Sequence, residues 1–193
     1  HLDDHTTNPQ DMNNMGGLKS KMPITHGTML ISTLAIAGVP FFSGFLSKDG
    51  ILAGTLSYYH IHHGWTLILP IAGFGAAMIT AFYMFRLIFK TFHGNPKKMA
   101  IHKHIHESPL AMTAPLVLLS VLSLAFVFTF NINPLEAKGW FKHLIHNDSF
   151  QHVAGLNMYS VDKGIEAAHN SAMYLSLFVA TVGIFTSIIF YYF

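Results

Sequence analysis

The hydrophobic residues of this chain are gathered into long blocks rather than spaced at the period of a soluble core. Four blocks, Ile24–Ser57, Trp65–Phe92, Leu110–Ile132 and Ala172–Phe193, each reach the roughly 20 residues that a membrane-spanning helix needs. The first is interrupted. Within Ala37-Gly38-Val39-Pro40-Phe41-Phe42-Ser43-Gly44, Pro40 removes a backbone donor while Gly38 and Gly44 loosen their turns. Non-helical backbone at membrane depth is tolerated only against protein or a wet cavity, so a discontinuous helix is expected here. The pattern predicts an all-α polytopic transmembrane bundle of about four spanning helices, the first one broken. Residues 1–23 form a connection before it, residues 24–193 the bundle, and about 133–170 a loop on the outer side.

Just past the break, Ser47-Lys48-Asp49 puts two charges inside the apolar run. Tyr58 and Tyr59 read as an interfacial aromatic belt ten residues beyond Lys48, roughly 15 Å along a helix and half of the hydrocarbon thickness. An unbroken helix from Ile24 would instead carry Lys48 roughly 36 Å along, past the far surface, but the break makes that longer count unreliable. A lysine at the midplane costs about 2.5–3.5 kcal/mol or more and is a functional-site hypothesis by default. A lysine snorkelling to the interface along its own stem is the other reading. Desolvation pushes a buried lysine toward its neutral form and a carboxylate or water pushes it back, which is the switchable affinity a proton relay needs. Asp49 is its electrostatic partner in sequence, yet neighbours on a helix diverge by about 100°. Asp49 is therefore expected to address an outer exit or another subunit, with Lys48 facing the bundle.

Composition agrees with a membrane chain. Of 193 residues 51% are hydrophobic and only 10% charged, with a mean hydropathy of +0.41. The absence of cysteine excludes disulfides, thiolate-held clusters and cysteine nucleophiles. Without a Rossmann fingerprint or haem-attachment motif, no cofactor and no metal is expected in this chain. Nothing marks a signal peptide or a nucleic-acid surface. Lys19, Lys21, Arg86, Lys90, Lys97, Lys98 and Lys103 flank two connections, while Tyr58–Gly64 has neither Lys nor Arg. The positive-inside rule then puts residue 1, the His93–Pro109 connection and the end of the chain on the cytoplasmic side. Beginning without Met and stopping at Tyr191-Tyr192-Phe193, in a hydrophobic run, the chain is expected to be a piece of a larger polytopic protein.

Other residues have plainer readings. Arg86 and Lys90 fit interfacial anchors, Arg86 also being a candidate channel group. The runs His60-Ile61-His62-His63 and His102-Lys103-His104-Ile105-His106 lack the complement of a defined metal site and read as loop histidines. Indeed all fourteen histidines fall in expected loops or at helix ends. Gly73 and Gly75 suggest close helix packing, Pro109 and Pro115 a helix start, and Gly139–His146 a short amphipathic surface helix.

The motifs Met15-Gly16-Gly17-Leu18-Lys19, Lys21-Met22-Pro23, Ala37-Gly38-Val39-Pro40, Ser43-Gly44-Phe45 and Ser47-Lys48-Asp49 resemble, in order and spacing, the later part of the antiporter-like subunits of respiratory NADH:quinone oxidoreductase, complex I. Tyr83-Met84-Phe85-Arg86 followed by Thr91-Phe92-His93-Gly94 resembles the next helix of the distal member, chain L in bacteria and subunit five in mitochondria. The likeness covers roughly residues 8–96, and the later helices match by hydropathy and order alone. It implies a proton-translocating membrane-arm subunit built from inverted repeats, in which a lysine on a discontinuous helix hands protons outward. Lys48 matches that position, with Asp49 adjoining. The resemblance further implies FMN, iron–sulfur clusters and quinone in partner subunits, and other membrane-arm subunits, the lipid bilayer and protons as partners. A bacterial cytoplasmic membrane or a mitochondrial inner membrane would be the location. Two alternatives stay open: a component of a multi-subunit monovalent cation/proton antiporter, and an inert membrane anchor or assembly element.

Overall fold

A computed structural model describes residues 11–96, 99–124 and 158–192. Among them the elements longer than an isolated bridge are all helices, as the hydropathy pattern requires. The main helices are α1 (Pro23–Ala37), α2 (Ser43–His62), α3 (Ile68–Phe92), α4 (Met99–His104), α5 (Leu110–Leu122) and α6 (Met158–Tyr191). Gly64–Phe92 and Ala167–Tyr191 are long and apolar enough to cross a bilayer, and Pro23–Ala37 and Leu110–Leu122 are shorter apolar helices.

The expected break lies between α1 and α2. Gly38 ends α1 in the left-handed conformation, φ 80° and ψ 39°, which glycine adopts without steric cost. Its N–H donates to the Ala35 carbonyl at 3.2 Å and the Val39 N–H to the Leu34 carbonyl at 3.1 Å, a Schellman closure. Pro40 then fixes the next φ, and Phe41 takes φ 78°, a value glycine normally supplies at that place in a tight turn. The two halves overlap rather than abut. A Cβ on Gly44 would stand 1.9 Å from the Ala35 carbonyl oxygen, so only glycine lets the start of α2 lie beside the end of α1.

Helices α1 and α2 run along α3 in sequence-reversed order. His26 meets Phe92 and His93 at one end, Ala37 packs with Ala81 and Phe85 in the middle, and Leu52 packs with Phe74 toward the other end. On α3 the buried positions Phe74, Ala77, Ala81, Phe85, Ile88 and Phe92 recur every three or four residues. Against α6, Phe74 packs with Ala172, and the buried positions of α6 are mostly small: Ala168, Ala172, Ser176, Ala180, Gly183 and Ser187. Small side chains let helix backbones approach where lipid removes the hydrophobic drive to associate. At Gly183 a Cβ would fall 2.5 Å from the Met78 carbonyl.

Two boundaries differ from expectation. Helix α6 starts at Met158, not Ala172, so the loop expected over 133–170 is helical from Met158 on. In sequence these early turns mix Val161, Ile165 and Ala168 with Lys163, Glu166 and His169, which lowers their mean hydropathy while keeping a helical period. Helix α5 ends at Leu122, and Ser123–Leu124 turn toward the break, where Phe42 and Leu124 form an isolated bridge. The expected continuation to Ile132, the amphipathic Gly139–His146 segment, Lys97 and Lys98 lie outside the described residues. Of the two packing glycines, Gly73 is in close contact, its Cβ position 3.0 Å from Leu52, whereas Gly75 meets nothing within 4 Å.

Candidate functional site

Lys48 lies one turn into α2 and reaches back across the break, where its Nζ donates to the carbonyl of Ile36. That carbonyl belongs to the last turn of α1, whose oxygens have no intrahelical partner and carry the negative end of the helix dipole. Ile36 is twelve residues from Ile24, roughly 18 Å up the helix, about half of the roughly 36 Å that an unbroken helix to Lys48 would span. The overlap of the half-helices is what shortens that count. The break is closed from the other side by α5: the Ser43 N–H, an orphan donor at the start of α2, donates to the Ser123 carbonyl at 2.8 Å.

Asp49 does not partner Lys48. It is buried, 4% exposed, on the face of α2 that packs on α6. There its Oδ2 lies 2.9 Å from Nδ1 of His169, while Oδ1 is buried with no hydrogen-bond partner among the described residues. Adjacent residues on one helix thus serve different neighbours, as their angular separation requires. Within the described residues the neighbour of Asp49 is thus a side chain of α6 rather than Lys48. His169 is invisible to mean hydropathy because it falls in a segment whose composition reads as loop. The helical period of the residues ahead of Ala172 is the signal that finds it.

At the far end of α1 a second charged contact forms. Met22 at the N-cap offers no capping side chain and Pro23 follows. Glu107, from the connection before α5, supplies the cap: its carboxylate accepts from the Ile24 N–H at 2.7 Å, the Thr25 N–H at 3.4 Å and the Thr25 hydroxyl at 2.6 Å. The Ser108 N–H donates to it too, at 3.2 Å. Burial alone would raise the Glu107 pKa, but the hydrogen bonds from Thr25, Ile24 and Ser108 together hold it below the ordinary glutamate value.

The same end gathers the glycine motif and the aromatic ring cluster. Gly17 donates to the His93 carbonyl at 3.2 Å, and a side chain on Gly16 would meet the Asn95 carbonyl at 2.6 Å. A ring nitrogen of His102 lies 3.1 Å from the Gly17 carbonyl and donates to it. His26 is buried inside the first turn of α1, edge-on to Phe92 and His93. Arg86 lies 5.3 Å and Lys90 5.5 Å from the Tyr191 ring centroid, a cation–aromatic arrangement that seats both cations beside the end of α6. Tyr192 packs on Phe89 and His93. The end of the described chain therefore shares an end of the bundle with the basic connections, as the charge pattern requires.

The family model for the transmembrane region of NADH:quinone oxidoreductase and Mrp antiporters matches residues 2–80. The chain is 45% identical over 124 residues to NADH-quinone oxidoreductase subunit L of Rhodobacter capsulatus, covering 58% of this chain and 17% of that protein. It is 36% identical over 133 residues to a Na(+)/H(+) antiporter component of Bacillus subtilis, covering 67% and 17%. With NADH-ubiquinone oxidoreductase chain 5 of Dictyostelium discoideum the identity is 34% over 187 residues, covering 95% and 26%. The chain thus spans between 17% and 26% of the length of these curated relatives. By these matches and by its broken-helix motif, the chain belongs to the family of antiporter-like membrane subunits of NADH:quinone oxidoreductase, which also includes Mrp antiporters.

Proposed function

We propose that this chain is part of a proton-translocating membrane-arm subunit of NADH:quinone oxidoreductase and that Lys48 is its relay. The observation that carries this reading is the Lys48 ammonium seated on the Ile36 carbonyl at the end of a half-helix. A charged lysine gains from the helix C-terminus, by about 0.3–1 kcal/mol at exposed sites and up to about 2 in partly buried ones. A neutral lysine loses most of that gain and is cheaper to keep at this depth. Loading and releasing the proton therefore changes what holds Lys48 across the break, and the flexible stem lets the amine move. The redox chemistry belongs to partner subunits that hold FMN, iron–sulfur clusters and quinone, and the other membrane-arm subunits are the direct neighbours. A bacterial cytoplasmic membrane or a mitochondrial inner membrane is the setting.

The test replaces Lys48 in the assembled complex. Lys48→Met keeps an unbranched apolar chain and removes the titrating group, and Lys48→Arg keeps the charge but holds its proton permanently. Both complexes are expected to contain the subunit in normal amount and to take up few protons into inverted vesicles per NADH oxidised. Normal uptake by fully assembled Lys48→Met would leave Lys48 an anchor only. A second reading rests on the likeness to the Bacillus subtilis antiporter. Sodium-dependent proton exchange without NADH oxidation would favour it.

A further inference from the structure

We propose that His169 on α6 is the group with which the buried Asp49 exchanges protons, so that the Asp49–His169 pair is the station beyond Lys48. The inference rests on the relay reading of Lys48 and deepens it. Its basis is placement. Asp49 follows Lys48 in the chain but lies on another face of α2, 4% exposed, with its Oδ2 2.9 Å from His169 Nδ1. The His169 side chain is 38% exposed, so the ring reaches from the buried carboxylate to the surface of the described bundle. An imidazole is suited to that span because it has two nitrogens and either can carry the proton. The transfer balances without any other reactant. A protonated Asp49 gives its proton to Nδ1, leaving a carboxylate and an imidazolium, and the imidazolium releases the proton bound at Nε2 to the outside. Ring rotation then returns a free nitrogen to Asp49. A carboxylate with one oxygen unpartnered among the described residues, as Oδ1 is, has a second place to take the next proton.

The experiment uses the assembled oxidoreductase in inverted vesicles and measures protons taken up per NADH oxidised, with subunit content as control. His169→Gln keeps a polar amide in place of the ring beside Asp49 but cannot pass a proton on. It should fall to about a tenth of wild-type uptake or less. The exchanged pair Asp49→His with His169→Asp keeps both groups in contact and should recover uptake well above the Gln variant. Wild-type uptake by His169→Gln overturns the proposal. So does an assembled exchanged pair that pumps no better than the Gln variant, and if the Gln variant does not assemble the exchanged pair decides alone. Lys48→Met measured alongside separates the two claims. Loss at Lys48 with normal His169→Gln removes only the His169 proposal, and loss at His169 with normal Lys48→Met removes the lysine relay.

Discussion

At its N-terminal end α1 takes a carboxylate, Glu107, onto its free amides, and at its C-terminal end it takes an ammonium, Lys48, onto a free carbonyl. Both contacts join groups distant along the helix or chain, and both have the sign the helix dipole favours. They differ in depth. Glu107 sits in a connection between helices and accepts four hydrogen bonds, so its charge is stabilised and retained. Lys48 has one carbonyl and stands within an apolar block of the chain, where a charge is costly in a membrane. On the relay reading proposed above, the same electrostatic device is a permanent cap at one end and a releasable one at the other.

The largest perturbation of this comparison is Gly44→Ala. Its Cβ would stand 1.9 Å from the Ala35 carbonyl, against backbone that cannot give way without separating the half-helices. The expected cost exceeds about 3 kcal/mol, read as loss of the subunit from the assembled complex. Near-normal assembly of this variant would mean that the half-helices do not overlap. A smaller effect is expected from Gly38→Ala, which forces a left-handed backbone on alanine at about 1–2 kcal/mol and puts a methyl group 3.3 Å from Lys48 Cδ. The complex should assemble with lower thermal stability and lower proton uptake, because the Lys48 stem is displaced.

The smallest effect is at the permanent cap. Glu107→Gln should cost about 1 kcal/mol at neutral pH, the usual value of a helix cap. The sign of its pH dependence follows from the lowered pKa. The contribution is fully present above the unfolded-state value of about 4.3 and is lost as pH falls through the lower folded value. The difference in thermal stability between wild type and Glu107→Gln should therefore shrink on acidification below that range. A difference that grew on acidification would contradict the hydrogen-bonded carboxylate.

Much of this architecture is legible from the residues. The Gly38 stop, the interruption at Pro40 and the apolar blocks are local features, and local geometry follows from them directly. Lys48 is legible because charge inside an apolar block is costly wherever the chain goes. What Lys48 touches is not, since its partner depends on how far α2 slides past α1, a distance set by the Gly44 contact. Glu107 is hidden because a cap supplied from a distant segment leaves no pattern beside the helix it caps. The only local hint is Met22 at a position that favours Ser, Thr, Asp or Asn. His169 is hidden by averaging, because the polar residues of the early α6 turns outweigh the apolar ones in mean hydropathy.

The claim that α1 has one permanent and one releasable cap is tested most directly by protons taken up per NADH oxidised, measured for Glu107→Gln and Lys48→Met in parallel vesicle preparations of equal subunit content. Glu107→Gln is expected to keep the wild-type ratio despite its lower stability, and Lys48→Met to lose most of it. Equal ratios in the two variants, whether both normal or both reduced, would contradict the account.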